Sequence, residues 1–318
     1  MNPSQLATAL ADRPLTARPI TERAAGAGTY LAEDEKGQRW ALKLYGPDHT
    51  AYRTERETLQ QLERFDAPTP RVVAADEDAP ALLLSWHGDR TLDQVISARG
   101  DDPLIELGLR ALIAVELVFA QISGPREESD QIMVDHLRRR DEEDLLRNAR
   151  ACRLVNPDLD DAEDLLRPIY EIAWQGSWNY GSLDCSASNL VTDGESVTVI
   201  DFSVLGAEWV ERRLASYLIA SGARGAGQEY VCAITGELVL TLIDLFDFLG
   251  GGGYRPELIG IHRFLALLAL LERLDRARAD GAEISQRRWQ SVVTALAEPV
   301  ARPEELSELA HEMELDRR

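Results

Sequence analysis

The hydrophobic period of this chain changes near residue 88, and that change limits the folds open to it. Before Gly88 the apolar residues fall in short runs and near-alternating stretches; after it they recur at helical spacing, returning to a period of two only around residues 189–202. From Ile20, ITERAAGAGTYLAED predicts two short strands joined by the glycines at 26 and 28. Glu35-Lys36-Gly37 marks a turn, and RWALKLY completes a three-stranded meander. AYRTERETLQQLERF sets Tyr52, Leu59, Leu62 and Phe65 at helical spacing and ends before Pro68 and Pro70; RVVAAD and ALLLSW then resume the strands. Beyond Gly88, PLIELGLRALIAVELVFAQI is too apolar on all sides for a surface helix and is expected at the centre of a helical body, while 127–152 and 158–175 read as charged amphipathic helices. NLVT, an Asp193-Gly194 turn and VTVIDF predict a short hairpin, after which helices return from about Trp209, interrupted by GARGAG at 222–227 and GGGG at 250–253. A chain of 318 residues exceeds the usual reach of one core, so the expectation is an α+β fold in two lobes: a small antiparallel sheet over 1–88 and a mainly helical part over 89–318.

Composition narrows the function classes. The net charge of −21 repels phosphates over most of the surface, which argues against a nucleic-acid partner and for attraction of a cationic small molecule. Most of the excess lies in the second part: 10 basic and 13 acidic residues precede Gly88, and 24 and 42 follow it. Taken alone, that excess is more simply a solubility feature than substrate steering. No run approaches the roughly 18 apolar residues of a membrane span, and MNPSQLATALADRPL lacks the basic start and apolar centre of a secretory signal, so no membrane partner and a cytoplasmic location are expected. Cys152, Cys185 and Cys232 are scattered and lack CxxC spacing, which disfavours a disulfide framework and a zinc cluster. Nothing here bears on oligomeric state.

Candidate chemistry is spread along the chain, and each piece has an ordinary explanation. Gly26 and Gly28 could bring backbone N–H groups up to a phosphate, or could simply serve a hairpin. Lys43 alternates with Leu42 and Leu44 and is either a solvated strand lysine or a phosphate contact; Glu57, with Glu55 as competitor, could reach back to orient it. ALLLSWHG runs out of the sheet where the helices begin, so Ser85 and Trp86 could line a cleft for a flat base, or Trp86 could be core. In YGSLDCSASNL, Asp184 and Asn189 are five positions apart, and Asn189 opens the hairpin whose second strand ends at Asp201. That places two oxygen ligands, Asn189 and Asp201, at one end of a ribbon, an arrangement suited to Mg²⁺, with Asp184 beside it able to accept a proton from a hydroxyl. A capping Asp and a turn Asn would produce the same spacing.

The order of these pieces is more informative than any one of them. Glycine turn, strand Lys, helix Glu, apolar strand between lobes, Asp-x4-Asn, hairpin and strand-terminal Asp-Phe together resemble the protein-kinase-like superfamily. Arg56-Glu57 with Leu59 and Leu62, APTPRVVAADEDAPALLLSWHG, the 184–189 loop, VIDFS and a helical insertion over 101–175 resemble the aminoglycoside phosphotransferase and choline kinase family, across residues 20 to about 220. The resemblance implies a two-lobed fold that moves the γ-phosphoryl group of ATP, with Mg²⁺, to a hydroxyl of a small-molecule acceptor. By position it implies Asp184 as catalytic base, Asn189 and Asp201 as magnesium ligands, Lys43 on the phosphates, Glu57 orienting Lys43, and Ser85 and Trp86 at the adenine hinge. The chain departs from the family where His-Gly usually precedes the Asp: Ser182 and Leu183 stand there, and Ser186 replaces a second His. Ser203 replaces an acid two places after Asp201, and Glu208 and Glu211 are candidates for an acid that usually leads the next helix. A cationic acceptor of aminoglycoside or choline type stands first on the charge, a neutral sugar or hydroxy amino acid close behind. The rival reading is a pseudokinase that binds nucleotide or a partner without turnover.

Overall fold

A computed structural model describes residues 2–22, 26–98, 103–123, 129–219 and 257–297. The GARGAG and GGGG interruptions and Cys232 lie outside the described residues. The chain opens with a helix, α1 (Pro3–Ala11), that the sequence reading did not anticipate, although its start is conventional: Ser4 N donates to the Asn2 side chain at 2.9 Å and Pro3 occupies the first turn. Then come β1 (Thr16–Glu22), β2 (Gly28–Glu33), β3 (Arg39–Leu44), α2 (His49–Glu63), β4 (Val72–Asp76) and β5 (Ala81–Ser85). The strands form one antiparallel sheet in the order β1-β2-β3-β5-β4, so the expected meander is extended by the returning pair.

The sheet is covered on both faces, which explains why β5 reads as an unbroken apolar run. Ala81 and Leu83 join Leu6, Tyr30, Trp40 and Leu42 in a core that includes α1. Leu82 and Leu84 join Tyr52, Leu59 and Leu62 of α2 in a second core. Period-two alternation distributes one strand between two apolar environments. Phe65, expected on the buried face of the helix, lies beyond its end and is 47% exposed.

After Gly88 the chain forms β6 (Arg90–Thr91), α3 (Leu92–Ala98), α4 (Leu104–Ser123), α5 (Ser129–Val155) and α6 (Ala162–Ala173). It continues through β7 (Trp178–Ser182), a 3₁₀ turn at 187–189, β8 (Leu190–Thr192), β9 (Val197–Val199), β10 (Leu205–Trp209), α7 (Val210–Ile219), α8 (Glu257–Ala279) and α9 (Gln286–Leu296). The expected hairpin is present as β8-β9, with β6 as a third strand. Leu205–Trp209 is strand, paired with β7, and the helix begins one residue later at Val210. Helix α4 is central, with Ile105, Leu109, Leu112, Ile113 and Phe119 buried in the same core as Leu84, and α5, α6, α8 and α9 share a separate apolar core. The fold is α+β, as expected. Gly88 has φ of 144°, and a Cβ there would sit 1.9 Å from the Thr192 carbonyl oxygen, so only glycine lets the chain leaving the sheet pass over β8. No described helix is long and apolar enough to cross a membrane.

Candidate active site

Between the sheet and the β8-β9 hairpin lies a cavity of about 500 Å³ lined by Gly28, Lys43, Glu55, Ser85, Trp86, Asn189 and Asp201. Lys43 enters it from β3. Its Nζ lies 2.6 Å from Glu55 Oε2 and 2.8 Å from Asp201 Oδ1, a contact across 158 residues of sequence. Glu55 is 1% exposed and also accepts a hydrogen bond from Tyr45 at 2.7 Å. Tyr45 stands two residues after Lys43, and the Lys43 ammonium lies 5.4 Å from its ring centroid.

This corrects the expected partner of Lys43. Glu57 is exposed and Glu55 makes the ion pair. Two helical positions differ by roughly 200°, so only one of the two acids can face the sheet, and Tyr52, Glu55, Thr58, Leu59 and Leu62 form the buried stripe. The phase was present in the sequence, because 52, 55, 59 and 62 lie on one face.

One ammonium serves two carboxylates, and they respond differently. Burial opposes charge on Asp201, but Lys43 and the hydrogen bonds from Lys43 and Ser203 outweigh it and hold this carboxyl below its ordinary value. Burial dominates at the deeper Glu55, pushing its carboxyl up against the pull of Lys43, and the Asp201 charge pushes the same way. Burial also works against the charged Lys43, yet Glu55 and Asp201 together raise it. The arrangement is a buried cation held by two anions of unequal depth.

Asp201 has φ of 67°, a left-handed conformation uncommon outside glycine. Ser203 Oγ donates to its Oδ1 at 2.6 Å, so Ser203, in place of an acid, fixes the carboxylate. Lys43 and Ser203 both use Oδ1, and Oδ2 has no hydrogen-bond partner among the described residues. Ile200 N donates to the Asn189 carbonyl at 2.8 Å, which holds Asn189 beside the chain entering Asp201. Asn189 Nδ2 donates to the Asp184 carbonyl at 3.0 Å, so its amide oxygen is the atom turned free. Each residue thus offers one hard oxygen, the donor set that Mg²⁺ takes when phosphate and water complete its shell. Among the described residues no three His, Cys, Asp or Glu side chains cluster as a metal site.

Asp184 is exposed, outside the set lining the cavity, on a loop held by short polar contacts among its own residues. Ser182 Oγ accepts from Asp184 N at 3.4 Å, Ser186 N donates to Asp184 Oδ1 at 3.3 Å, and Ser186 and Ser188 share a hydroxyl contact at 2.8 Å. Cys185 is buried, its thiol pushed up by burial. Gly28 lines the cavity, whereas Gly26 is exposed in a left-handed turn away from it. Trp86 is half-buried against the cavity. Ser85 Oγ accepts from Arg71 N at 2.8 Å and lies 2.7 Å from His87 Nε2; His87 Nδ1 lies 3.1 Å from Thr198 Oγ1, so this ring, overlooked in the sequence, bridges the end of β5 and the hairpin. Burial, then Arg71, holds the ring below its ordinary value, as suits a neutral imidazole that donates at one nitrogen and accepts at the other. Of the two acids near the next helix, Glu208 pairs with Arg140 at 2.6 Å, and both Glu211 oxygens accept from Ser177 N at 3.1 Å.

Solved structures share this architecture along nearly the whole chain. An aminoglycoside phosphotransferase from Alicyclobacillus acidocaldarius superposes with a TM-score of 0.54 at 17% identity, covering 93% of each chain. The chain has the fold of the aminoglycoside phosphotransferase and choline kinase family. A choline/ethanolamine kinase family protein from Mesorhizobium loti shares this small-molecule kinase fold with a TM-score of 0.51 at 12% identity, over 93% of this chain and 92% of that one. An amicoumacin kinase in complex with AMP-PNP and Ca²⁺ does so with a TM-score of 0.51 at 11% identity, over 97% and 95%. No family model and no curated protein matches the sequence.

Proposed function

We propose that the protein is an ATP-dependent phosphotransferase that moves the γ-phosphoryl group to a hydroxyl of a small-molecule acceptor. The observation that carries this reading is the meeting of Lys43, Glu55 and Asp201 in one cavity, at 2.6 and 2.8 Å, beside Asn189. Magnesium-bound ATP supplies the phosphoryl group and part of the charge neutralisation. Lys43 binds the phosphate oxygens, oriented by Glu55. Asn189 and Asp201 hold the metal through the oxygens they leave free. Asp184 accepts the proton of the acceptor hydroxyl as that hydroxyl's oxygen bonds to the γ-phosphorus and the bond from this phosphorus to the β–γ bridging oxygen breaks, with ADP as leaving group. Gly28 gives backbone access beside the phosphates, and Ser85 and Trp86 border the base. We place the boundary of the nucleotide-binding part at Gly88, with the Asp184 loop and the acceptor site on 89–318. The net charge of −21 supports a cationic acceptor of aminoglycoside or choline type.

ADP release across a panel of hydroxylated amines, sugars and antibiotics tests the reading. At least one acceptor is expected to raise Mg²⁺-dependent release above the rate in water. A second reading, nucleotide binding without transfer, is favoured only by Ser182-Leu183 in place of His-Gly, and it replaces the first if Mg²⁺-ATP binds and no acceptor is phosphorylated.

A further inference from the structure

The strand pair β7-β10 connects the two halves of the site. Asp184 lies two residues beyond the end of β7, and Asp201 four residues before the start of β10. Leu183 N donates to the Val204 carbonyl at 3.2 Å, so the spacing between Asp184 and Asp201 follows from how these strands are held. Ser182, where the family carries a His, is too short to fix that spacing and reaches only Asp184 N.

Beneath the pair lies a buried guanidinium that the mechanism has not used. Arg213, on α7, and Glu116, on α4, are each 1% exposed at the side chain and paired at 2.8 Å. Arg213 Nη2 donates to the Asn179 carbonyl on β7 at 2.8 Å and to the Gly206 carbonyl on β10 at 3.0 Å. Nη1 also contacts Asn179 Oδ1, and Asn179 Nδ2 donates to Glu116 Oε2 at 3.0 Å. The strands make room on both counts. Gly181 and Gly206 are paired in register; a Cβ at Gly181 would lie 2.7 Å from Arg213 Nη1, and one at Gly206 would lie 2.7 Å from Leu183 Cδ1. The same helix grips the entry to β7 through Glu211 and Ser177 N.

We infer that Arg213 is a positioning residue for the Asp184 loop: by tying the Asn179 and Gly206 carbonyls together, it sets Asp184 against Asp201. This rests on the phosphotransfer reading for its consequence but not for its geometry. A planar fork can bond two carbonyls and a carboxylate at once, whereas a lysine ammonium at the end of a flexible stem cannot hold them in one plane. A buried charge pair is weak support for stability and serves better to fix register.

Two variants test this. Arg213→Met alone takes the guanidinium away from Glu116, so the first is the triple variant Arg213→Met, Glu116→Leu, Asn179→Val, which removes these three side chains together; the second is Arg213→Lys, which keeps the charge. Expected in both are Mg²⁺-ATP affinity within about threefold of the parent, amide exchange at Leu183 and Asn189 faster by about tenfold or more, and turnover lower by roughly a hundredfold, as a displacement near 1 Å gives. Unchanged exchange at these two amides, in either variant, overturns the brace. Exchange is read without turnover, so a parent protein that phosphorylates nothing refutes the kinase reading and not the brace, whereas an unaltered loop refutes the brace alone.

Discussion

Around Lys43, buried charges hold one another; around Asp184, backbone groups and small hydroxyls do the holding. The first region contains an ammonium 17% exposed between two carboxylates, one 1% and one 23% exposed, with Tyr45 and Ser203 fixing the acids. The second contains an exposed carboxylate on a loop of short polar bonds, with Arg213 beneath the strands that carry it. Charges kept in a low dielectric are strong and cannot be removed singly without penalty, whereas an exposed acid can be removed at little cost to the fold. The Lys43 side is therefore rigid and coupled to stability, and the Asp184 side is separable from it.

The contrast is broken most sharply at Asp184. Asp184→Ala is expected to lower phosphotransfer by about 10²- to 10⁴-fold while shifting unfolding free energy by no more than about 0.5 kcal/mol. Urea denaturation beside a turnover assay checks both, and a large stability loss would erase the distinction between the regions. Lys43→Met is expected to lose both stability and nucleotide binding. It leaves Glu55 and Asp201 facing each other without a cation and costs about 3–5 kcal/mol, and nucleotide affinity falls with it. Adding Glu55→Leu should recover part of the stability and none of the affinity, since what is regained is packing and not the phosphate contact.

Acid titration gives a smaller effect with a defined sign. Asp201 is held below its ordinary value of 3.8, so its contribution is present above that pH and disappears as pH falls through the lower, folded-state value. The stability gap between the parent and Asp201→Asn should narrow below pH 3.8. Glu55, pushed up by burial, runs the other way: its contribution is complete below 4.5 and fades as pH rises through the folded-state value. Smallest of all is Glu57→Gln, expected within about 0.5 kcal/mol of the parent and without effect on ATP affinity. An affinity loss there comparable to that of Glu55→Gln would return the orienting role to Glu57.

These two regions also differ in how far the sequence disclosed them. Strand alternation set Lys43 on the face opposite Leu42 and Leu44, and the hairpin after Asn189 set Asp201 at one end of a ribbon, but only the order of the motifs along the chain singled the two out. Choosing Glu55 over Glu57 required the helical phase, which the buried stripe of Tyr52, Leu59 and Leu62 supplies once it is followed. Helix α1 also had its signal, an Asn cap before Pro3. The pair WNYGS and LGAEW carried none: both are short, both contain glycine, and their pairing is non-local. Arg212 and Arg213 are adjacent in one helix, and nothing local distinguishes the arginine that is buried beneath the strands.

The central claim is that the Lys43–Asp201 meeting point is a seat for a magnesium-bound triphosphate, and calorimetric titration of ATP into the parent and Asp201→Asn, with and without Mg²⁺, tests it most directly. The account predicts binding to the parent that strengthens with Mg²⁺ and a loss of that Mg²⁺ dependence in Asp201→Asn. ATP binding to both proteins with equal affinity and equal response to Mg²⁺ would contradict it.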